Sequence, residues 1–381
     1  MRPLFRSLLV AASLSVPAFA AEPPAPQPPT NIQKPDGRPT LDVVFVLDTT
    51  GSMGGLIEGA KQKIWSIASR LASGKPTPRI RVGLVAYRDR TDEYVTKRFE
   101  LSEDLDEVYK NLQSFQAGGG GDGPEHVGQA LGEAVSLMQW SQDKKTARMI
   151  FLVGDAPAHD DYNDGWNTRT WAKNAIAKGI VVNTVRCGAD GSTGALFAEL
   201  AKLADGTYVS IQQSGGMVAV ATPYDAEMKK LSDGIADRTM VGGTATARTE
   251  GDTRLKELKS MSVEGNADRV SYRAKSYAPA APMADVSVRG GVVLNADPTA
   301  VNTMKDEDLP ASLRALPADQ REAAVKKATA EQKELQAKLL ELSKKRDEFI
   351  KSNAKKSGEV SFDDEVFAGA KKSASKVGVA Y

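Results

Sequence analysis

Residues 43–53 read Val43-Val44-Phe45-Val46-Leu47-Asp48-Thr49-Thr50-Gly51-Ser52-Met53, an apolar run that ends in an aspartate and a hydroxyl-bearing turn. A strand that is apolar throughout is typical of a parallel sheet buried on both faces. Thr50 and Ser52 follow Asp48 at alternate positions, on a turn that contains glycine and opens a helix. Carboxylate and hydroxyl oxygens together suit magnesium, manganese or calcium. The stretch therefore predicts a strand end that holds a ligand through a metal ion.

The overall composition excludes some classes of function. The chain has 381 residues, with 50 Lys and Arg against 49 Asp and Glu, so no global field favours nucleic acid or an anionic membrane. A single cysteine, Cys187, rules out an internal disulfide framework. Because Cys187 follows an apolar stretch, we expect a small core residue at a strand end.

The N-terminus has the pattern of an export signal. Arg2 and Arg6 precede an apolar stretch over 8–16, and Ala18-Phe19-Ala20 supplies small residues for cleavage. We expect residues 1–20 to be a signal peptide and the protein to be periplasmic or secreted, most simply in a bacterium. The apolar stretch is too short for a membrane-spanning helix, which needs about 20 apolar residues. A lipid anchor is not indicated either, because there is no cysteine near the cleavage site. Membrane association is therefore not indicated after cleavage. The alternative is an uncleaved anchor helix.

Strand and helix patterns alternate from residue 40 to residue 236, which predicts one α/β domain with a doubly wound, mostly parallel sheet. A shorter alternating stretch, Tyr94-Phe99, is expected to be an antiparallel edge strand. The other predicted strands are Leu41-Leu47, Ile80-Tyr87, Arg148-Val153, Val181-Val185 and Thr207-Ile211. The predicted helices are Met53-Leu71, Asp104-Phe115, Glu125-Met138, Thr168-Lys178, Ala195-Ala204 and Asp225-Ala236.

The remaining segments are less regular. Residues 21–39 are rich in proline and are predicted to be an extended linker. Residues 237–308 are predicted to be a mixed linker and β region, with a hairpin turn at Gly265-Asn266 and a linker at 278–282.

A mainly helical C-terminal extension is predicted over residues 309–381. Pro317 should separate a short helix from a long one. The long helix should form an intramolecular packing arm through one apolar face, made by Leu335, Leu339 and Leu342. Beyond Lys351 the sequence indicates a polar tail with a small apolar cluster, formed by Val360, Phe362, Val366 and Phe367.

Two further segments can converge on the strand that ends at Asp48. Asp155 ends the predicted strand that contains Arg148-Val153, and Asp122 lies in the loop Gly118-Gly119-Gly120-Gly121-Asp122-Gly123-Pro124-Glu125. In an open parallel sheet, ligands bind beyond the carboxyl ends of the strands, where the strand order reverses. If the two strands are neighbours there, Asp48 and Asp155 meet, and the glycines let backbone approach the ligand closely.

From about residue 40 to residue 236 the chain resembles the von Willebrand factor type A domain. That family carries Asp-x-Ser-x-Ser, and this chain has Asp48, Thr50 and Ser52 in those places, with Thr50 keeping the hydroxyl. Asp155 matches the later strand-end aspartate of the family. Asp122 stands where the family has a threonine ligand, as in members with Gly-Gly-Gly-Asp-x-Pro-Glu.

The resemblance implies a metal-ion-dependent adhesion site that holds Mg²⁺, or else Mn²⁺ or Ca²⁺. An acidic side chain of a protein partner would complete the coordination. With Asp48, Asp122 and Asp155 all ionised, three carboxylates would surround one ion and make it less attractive to an anionic partner. A purely structural metal is the alternative within this interpretation.

Several other interpretations stay open at this stage. The hydroxyls after Asp48 could cap a helix without metal. The glycine loop could bind phosphate, although it lacks the Gly-Lys-Ser/Thr ending of a P-loop. Asp48 could be the nucleophile of an aspartyl-phosphate hydrolase. An exported metal-dependent hydrolase would need a general base, for which Glu125 or His126 is the candidate. A scaffold without metal could act through its C-terminal helix.

Three surface features are expected beside the site. His126 and His159 are predicted to be exposed polar residues of loops. The loop from Asp160 to Gly165 lacks the spacing of a calcium loop and is predicted to be solvated. That loop and the segment Arg88-Asp89-Arg90 border the predicted site and could help to choose the partner.

Overall fold

The computed structural model describes most of the chain downstream of residue 36, and every described residue belongs to the unit Gln33–Tyr381. The predicted signal peptide, most of the first linker, the linker at 278–282 and Asp122 lie outside the described residues. The described residues are 37–121, 123–216, 221–276, 288, 290–353 and 361–381.

A six-stranded sheet forms the centre of the described structure. Its order is β3-β2-β1-β4-β5-β6, and every neighbouring pair is parallel except β2 and β3. The predicted doubly wound sheet with one antiparallel edge strand is therefore confirmed. The strands are β1 (Thr40–Asp48), β2 (Arg79–Tyr87), β3 (Thr96–Ser102), β4 (Thr146–Gly154), β5 (Ile180–Cys187) and β6 (Tyr208–Ile211).

Helices cover both faces of the sheet. Alternate side chains of β1 point to opposite faces, so Phe45 belongs to one apolar core and Val44 and Val46 belong to the other. The core that contains Phe45 is covered by α1 and α2, and the second core is covered by α3, α4 and α5. The first six α-helices are α1 (Gly54–Ala72), α2 (Leu105–Gln113), α3 (Val127–Ser136), α4 (Thr168–Ala177), α5 (Gly191–Leu203) and α6 (Asp225–Asp237).

The region after α6 is more helical than its sequence indicates. The hairpin turn predicted at Gly265-Asn266 is wrong, because both residues lie inside a helix and Asn266 is fully buried. Within the described part of this region, the expected β structure consists of one short antiparallel pair of strands. The elements are β7 (Val241–Gly243), α7 (Ala245–Ser260), α8 (Val263–Ser276), β8 (Gly291–Val293), α9 (Ala311–Arg314), α10 (Ala318–Asn353) and α11 (Phe362–Ser375).

The long helix α10 packs against the rest of the chain as predicted. Its residues Leu335, Leu339 and Leu342 join one apolar cluster with residues of α6 and α8. Pro317 lies between the end of α9 and the start of α10, so the predicted helix break is confirmed. Among the described residues, no helix combines the length and apolar character needed to cross a membrane.

The last helix corrects the prediction of a polar tail. In α11, Phe362 is 1% exposed, and Val366, Ala370 and Ala374 are fully buried in the same core as Phe45. The rings of Phe362 and Phe45 lie 6.1 Å apart. A polar tail was expected because the four buried apolar residues lie in a short, charged stretch. The apolar cluster predicted within that tail is confirmed at Phe362 and Val366, while Val360 lies outside the described residues. The helix therefore completes the cover of the sheet on the side of α1.

Candidate metal site

The site lies where the strand order reverses. β1 and β4 are parallel neighbours with Leu47 opposite Val153, while the chain leaves β1 toward β2 on the other side. Asp48 and Asp155 therefore stand at the same edge of the sheet, beyond the carboxyl ends of adjacent strands. A methyl group added to Gly154 would collide with the Tyr87 hydroxyl and lie close to the Asp48 Oδ2 atom, so glycine suits this position. This is the crevice at which open α/β sheets bind ligands.

Asp48 is fully buried and holds the turn that follows it. Its Oδ1 atom accepts two hydrogen bonds from Thr50, one from the backbone N–H at 2.8 Å and one from the hydroxyl at 2.7 Å. Its Oδ2 atom is buried and has no hydrogen-bond partner among the described residues. Because an unsatisfied carboxylate oxygen is costly inside a protein, this atom marks a place where a cation would be stabilised.

The two predicted hydroxyl ligands lie side by side. Thr50 Oγ1 and Ser52 Oγ are 3.3 Å apart. Thr50 is buried, whereas Ser52 is exposed on the short 3₁₀ turn Gly51–Met53. Two oxygens that bind one Mg²⁺ in neighbouring positions are about 3 Å apart. The hydroxyl pair therefore has the spacing that a hard divalent cation needs.

Asp155 is half-buried and is held by hydrogen bonds from residues that follow later in the chain. Its Oδ2 atom accepts a hydrogen bond from the Gln213 Nε2 atom at 2.6 Å. Its backbone carbonyl accepts a hydrogen bond from the Thr193 hydroxyl at 3.2 Å. Gln213 follows β6, and Thr193 lies in the first turn of α5, so two later elements fix the loop that carries Asp155.

The glycine loop closes over the turn after β1. The Gly118 N–H donates to the Thr49 carbonyl at 3.1 Å. The Gly120 N–H donates to the Asp92 carboxylate, with 3.1 Å to its Oδ1 atom. Gly119 has a φ of +79°, and a methyl group there would collide with Asp92. The loop thus needs glycine both for its backbone conformation and for this close approach.

The electrostatics of the site favour a bound cation. Burial raises the pKa of Asp48 to about 7, the hydrogen bonds from Thr50 oppose that shift, and the Asp155 carboxylate adds to it. Two carboxyl groups that share a dry site resist ionising together. A divalent cation between them would favour the ionised forms.

Arg88 and Asp89, which follow β2, are buried and hold neighbouring loops by hydrogen bonds. Arg88 and Asp89 are 5% and 2% exposed, so neither can contact a partner at the surface. The expectation that they help to choose the partner is therefore not met. The Arg88 guanidinium donates to the Thr49 carbonyl at 3.1 Å and to the Gln116 carbonyl at 2.8 Å. Asp89 Oδ2 accepts a hydrogen bond from the Tyr162 hydroxyl at 2.6 Å. The prediction missed that an arginine can satisfy two loop carbonyls at once.

Arg90 remains at the surface and joins two loops beside the site. Its guanidinium pairs with Asp164 and lies 4.0 Å from the centre of the Tyr162 ring. The His159 ring also stacks on the Tyr162 ring, with their centres 4.2 Å apart. His126 is 1% exposed, with its Nε2 atom 3.0 Å from Asp164 Oδ2, so the expectation of an exposed His126 is wrong. Burial lowers the pKa of His126.

The described residues fit a hard cation with a donor set of two carboxylates and two hydroxyls. They contain no group of three or more His, Cys, Asp or Glu side chains placed to hold a metal ion. Of the five predicted ligands, the structure brings together Asp48, Thr50, Ser52 and Asp155, and Asp122 lies outside the described residues. The buried Asp48 Oδ2 atom, which has no hydrogen-bond partner within the described part of the chain, is the observation that favours a cation over helix capping alone.

Residues that the sequence did not single out also build this site. They hold the loops and belong to no sequence motif, so only their contacts in the structure identify them. They are Gln213, Asp92 and Thr193.

The sheet order and the flanking helices define an α/β domain of the doubly wound class. The chain belongs to the von Willebrand factor type A domain family, whose sequence pattern matches residues 42–246, more than half of the chain. Domains of this family are generally protein-interaction modules.

Two curated proteins share part of the domain. Alpha-protein kinase vwkA of Dictyostelium discoideum is 30% identical over 122 residues, which are 31% of this chain and 19% of that protein. The putative ariadne-like RING finger protein R811 of Acanthamoeba polyphaga mimivirus is 24% identical over 128 residues, 34% of this chain and 12% of that protein. The chain thus spans less than a fifth of the length of either relative.

Two solved structures with a similar fold each match less than half of this chain. The conserved hypothetical protein BatB from Bacteroides thetaiotaomicron is 18% identical, with a TM-score of 0.33, and the match covers 45% of this chain and 90% of that one. The von Willebrand factor type A domain of SpRpn10 is 15% identical, with a TM-score of 0.36, and the match covers 47% and 91%.

Proposed function

We propose that this protein binds a protein partner through a divalent cation held by Asp48, Thr50, Ser52, Asp122 and Asp155. The cation is Mg²⁺ in its simplest form, with Mn²⁺ and Ca²⁺ as the alternatives. The proposal is carried by the buried oxygen of Asp48 that has no partner among the described residues, beside two hydroxyls 3.3 Å apart. A bound cation would supply an electrophilic position that an acidic side chain of the partner can fill.

The division of labour follows from burial. Asp48 and Thr50 form the closed inner side of the site, while Ser52 and the half-buried Asp155 face outward. The carboxylates set the affinity for the cation, and their charge weakens its attraction for a further anion. We therefore expect tight metal binding together with a modest affinity for an acidic partner.

Calorimetric titration of the intact chain with MgCl₂, MnCl₂ and CaCl₂ tests the metal site. Ser52→Ala removes one oxygen ligand of the proposed cation from an exposed turn. It should weaken metal binding about tenfold or more. Ser352→Ala is a matched control, because Ser352 is an exposed serine near the end of α10 and should bind metal like the wild type. Equal affinity in the wild type and Ser52→Ala would contradict the ligand assignment.

The partner is tested by capture from cell-envelope extract on immobilised protein. Capture should require Mg²⁺, should be reversed by EDTA, and should be lost with Ser52→Ala but not with Ser352→Ala. A partner that stays bound in EDTA would argue for a scaffold that works without metal.

The proposed location is the cell envelope or the exterior, on the strength of the N-terminal export pattern. Cleavage after Ala20 would leave Ala21 as the first residue of the mature chain. N-terminal sequencing of protein recovered from the envelope fraction of a bacterial host should find that residue. An intact Met1 would contradict cleavage.

A metal-dependent hydrolase would use the same cation to activate water and would need a base beside it. The described contacts of His126 are with Asp164 and the Tyr162 ring, on the loops that flank the site. Metal-dependent turnover of a phosphoester or peptide substrate that is lost with His126→Ala would replace the binding proposal by this one.

A further inference from the structure

The loop after β6 carries one side chain that touches both halves of the candidate metal site. The Gln213 Nε2 atom lies 2.6 Å from Asp155 Oδ2 and 3.2 Å from the Ser52 carbonyl oxygen. These two acceptors belong to the loops after β4 and β1, which supply the proposed ligands. One amide therefore joins the two loops across the switch point of the sheet.

The orientation of this amide is fixed by chemistry. A carboxylate and a backbone carbonyl can only accept hydrogen bonds, so the end of Gln213 that faces both must be the NH₂ group. The NH₂ group therefore binds the Asp155 Oδ2 atom and holds this carboxylate beside that of Asp48.

The loop that carries Gln213 is itself anchored. The Gly215 carbonyl accepts a hydrogen bond from the Phe362 N–H at 3.0 Å, which ties the loop to the start of α11. Gly188, at a φ of +72°, lies against the Gln213 side chain, and a methyl group there would come within 2.3 Å of the Oε1 atom. Gly188 therefore leaves the room that the Gln213 amide needs in this position.

We infer that Gln213 is a positioning residue of the metal site, which fixes Asp155 relative to Ser52 and thereby sets the affinity for the cation. The inference rests on the proposed metal site and adds a residue outside its ligand set. Groups that hydrogen-bond a ligating carboxylate typically change metal affinity 10–100-fold when they are removed. Because Gln213 is exposed, it contributes little to the stability of the fold without metal.

The test compares Gln213→Met with Gln212→Met in the intact chain. Methionine keeps the length of glutamine but cannot donate a hydrogen bond, and Gln212 is an exposed neighbour in the same loop. Binding of Mn²⁺ is measured by the loss of its free electron paramagnetic resonance signal, and the melting temperature is measured in EDTA. We expect Gln213→Met to bind Mn²⁺ about tenfold more weakly, with the melting temperature in EDTA unchanged.

The outcomes separate the two proposals. If the wild type binds Mn²⁺ and Gln213→Met binds it equally well, the positioning role is overturned and the metal site stands. A lower melting temperature in EDTA at unchanged affinity would show that Gln213 only supports the fold. If the wild type does not bind Mn²⁺, the metal site and the positioning role fail together. Weaker binding in Gln212→Met as well would assign the effect to the loop and overturn the specific role of Gln213.

Discussion

The first strand serves two regions of opposite character. Near its middle, Phe45 packs against Phe362 of α11, and the contact buries apolar surface that favours folding. At its end, Asp48 is just as buried but carries a carboxylate whose burial disfavours the charged form. Burial therefore stabilises the fold in one region of β1 and opposes it in the other. Regions that oppose folding in this way are candidates for function, since the structure tolerates a cost there.

The largest change in stability should come from a substitution in α11, where it packs against β1. Phe362→Ala removes a fully buried ring from the core and should lower the free energy of unfolding by about 3–5 kcal/mol. Phe349→Ala is the matched control in α10, because Phe349 is only half-buried, and should cost about 1–2 kcal/mol. Both values are measured by urea unfolding of the intact chain. Equal losses would mean that α11 is no more part of the core than α10.

The second effect has the opposite sign. Asp48→Asn replaces a buried carboxylate by a neutral group of the same shape, and its oxygen can still accept the hydrogen bonds from Thr50. In EDTA at pH 8 the variant should be more stable than the wild type, on the order of 2 kcal/mol. It should also lose the stabilisation that Mg²⁺ gives to the wild type. A variant that is destabilised in EDTA would show that the charge of Asp48 supports the fold.

The pH dependence checks the cause of that gain. The pKa of Asp48 is about 7 in the folded chain and is near its ordinary value of 3.8 when unfolded. Between these values the folded state binds more protons, so the contribution of Asp48 to stability falls as pH rises. The difference between Asp48→Asn and the wild type in EDTA should therefore be small near pH 4 and grow toward pH 7. Saturating Mg²⁺ should reduce the loss in the wild type, because the cation favours the ionised carboxylate.

The smallest effect should come from the rim of α11. Arg70 pairs with Asp364 at 2.8 Å and lies 4.3 Å from the centre of the Phe367 ring. The pair is solvent-exposed, so Arg70→Ala should lower the free energy of unfolding by less than about 1 kcal/mol. Urea unfolding at low and high salt measures this change. A larger loss would mean that exposed residues at the edge of α11 contribute to its stabilisation of the fold, in addition to its apolar face.

The core of the fold could be predicted because its signals are local. The apolar strands and the amphipathic helices up to α6 all have the predicted type, with ends that shift by a few residues. The meeting of Asp48 and Asp155 followed from the rule for switch points, since β1 and β4 are neighbours. Such inferences need only the sequence pattern and the handedness of strand connections.

The features that were missed depend on distant contacts. Gly265 and Asn266 suggest a turn, yet they lie in α8. Asn266 is fully buried there and donates a hydrogen bond to Ser232 of α6. Gln213 has no motif and is recognised only by its distances to Asp155 and Ser52. The polar sequence around α11 also hid its buried face, because the partner strand lies far away along the chain.

The place of α11 has a consequence for the order in which the chain can fold during synthesis. A ribosome adds about 5–20 residues per second, so α11 emerges on the order of 10 s after β6. Throughout that interval the apolar surface of β1 around Phe45 lacks the part of its cover that α11 supplies. This surface of the nascent domain therefore stays open to chaperones, and to wrong contacts, until α11 has emerged.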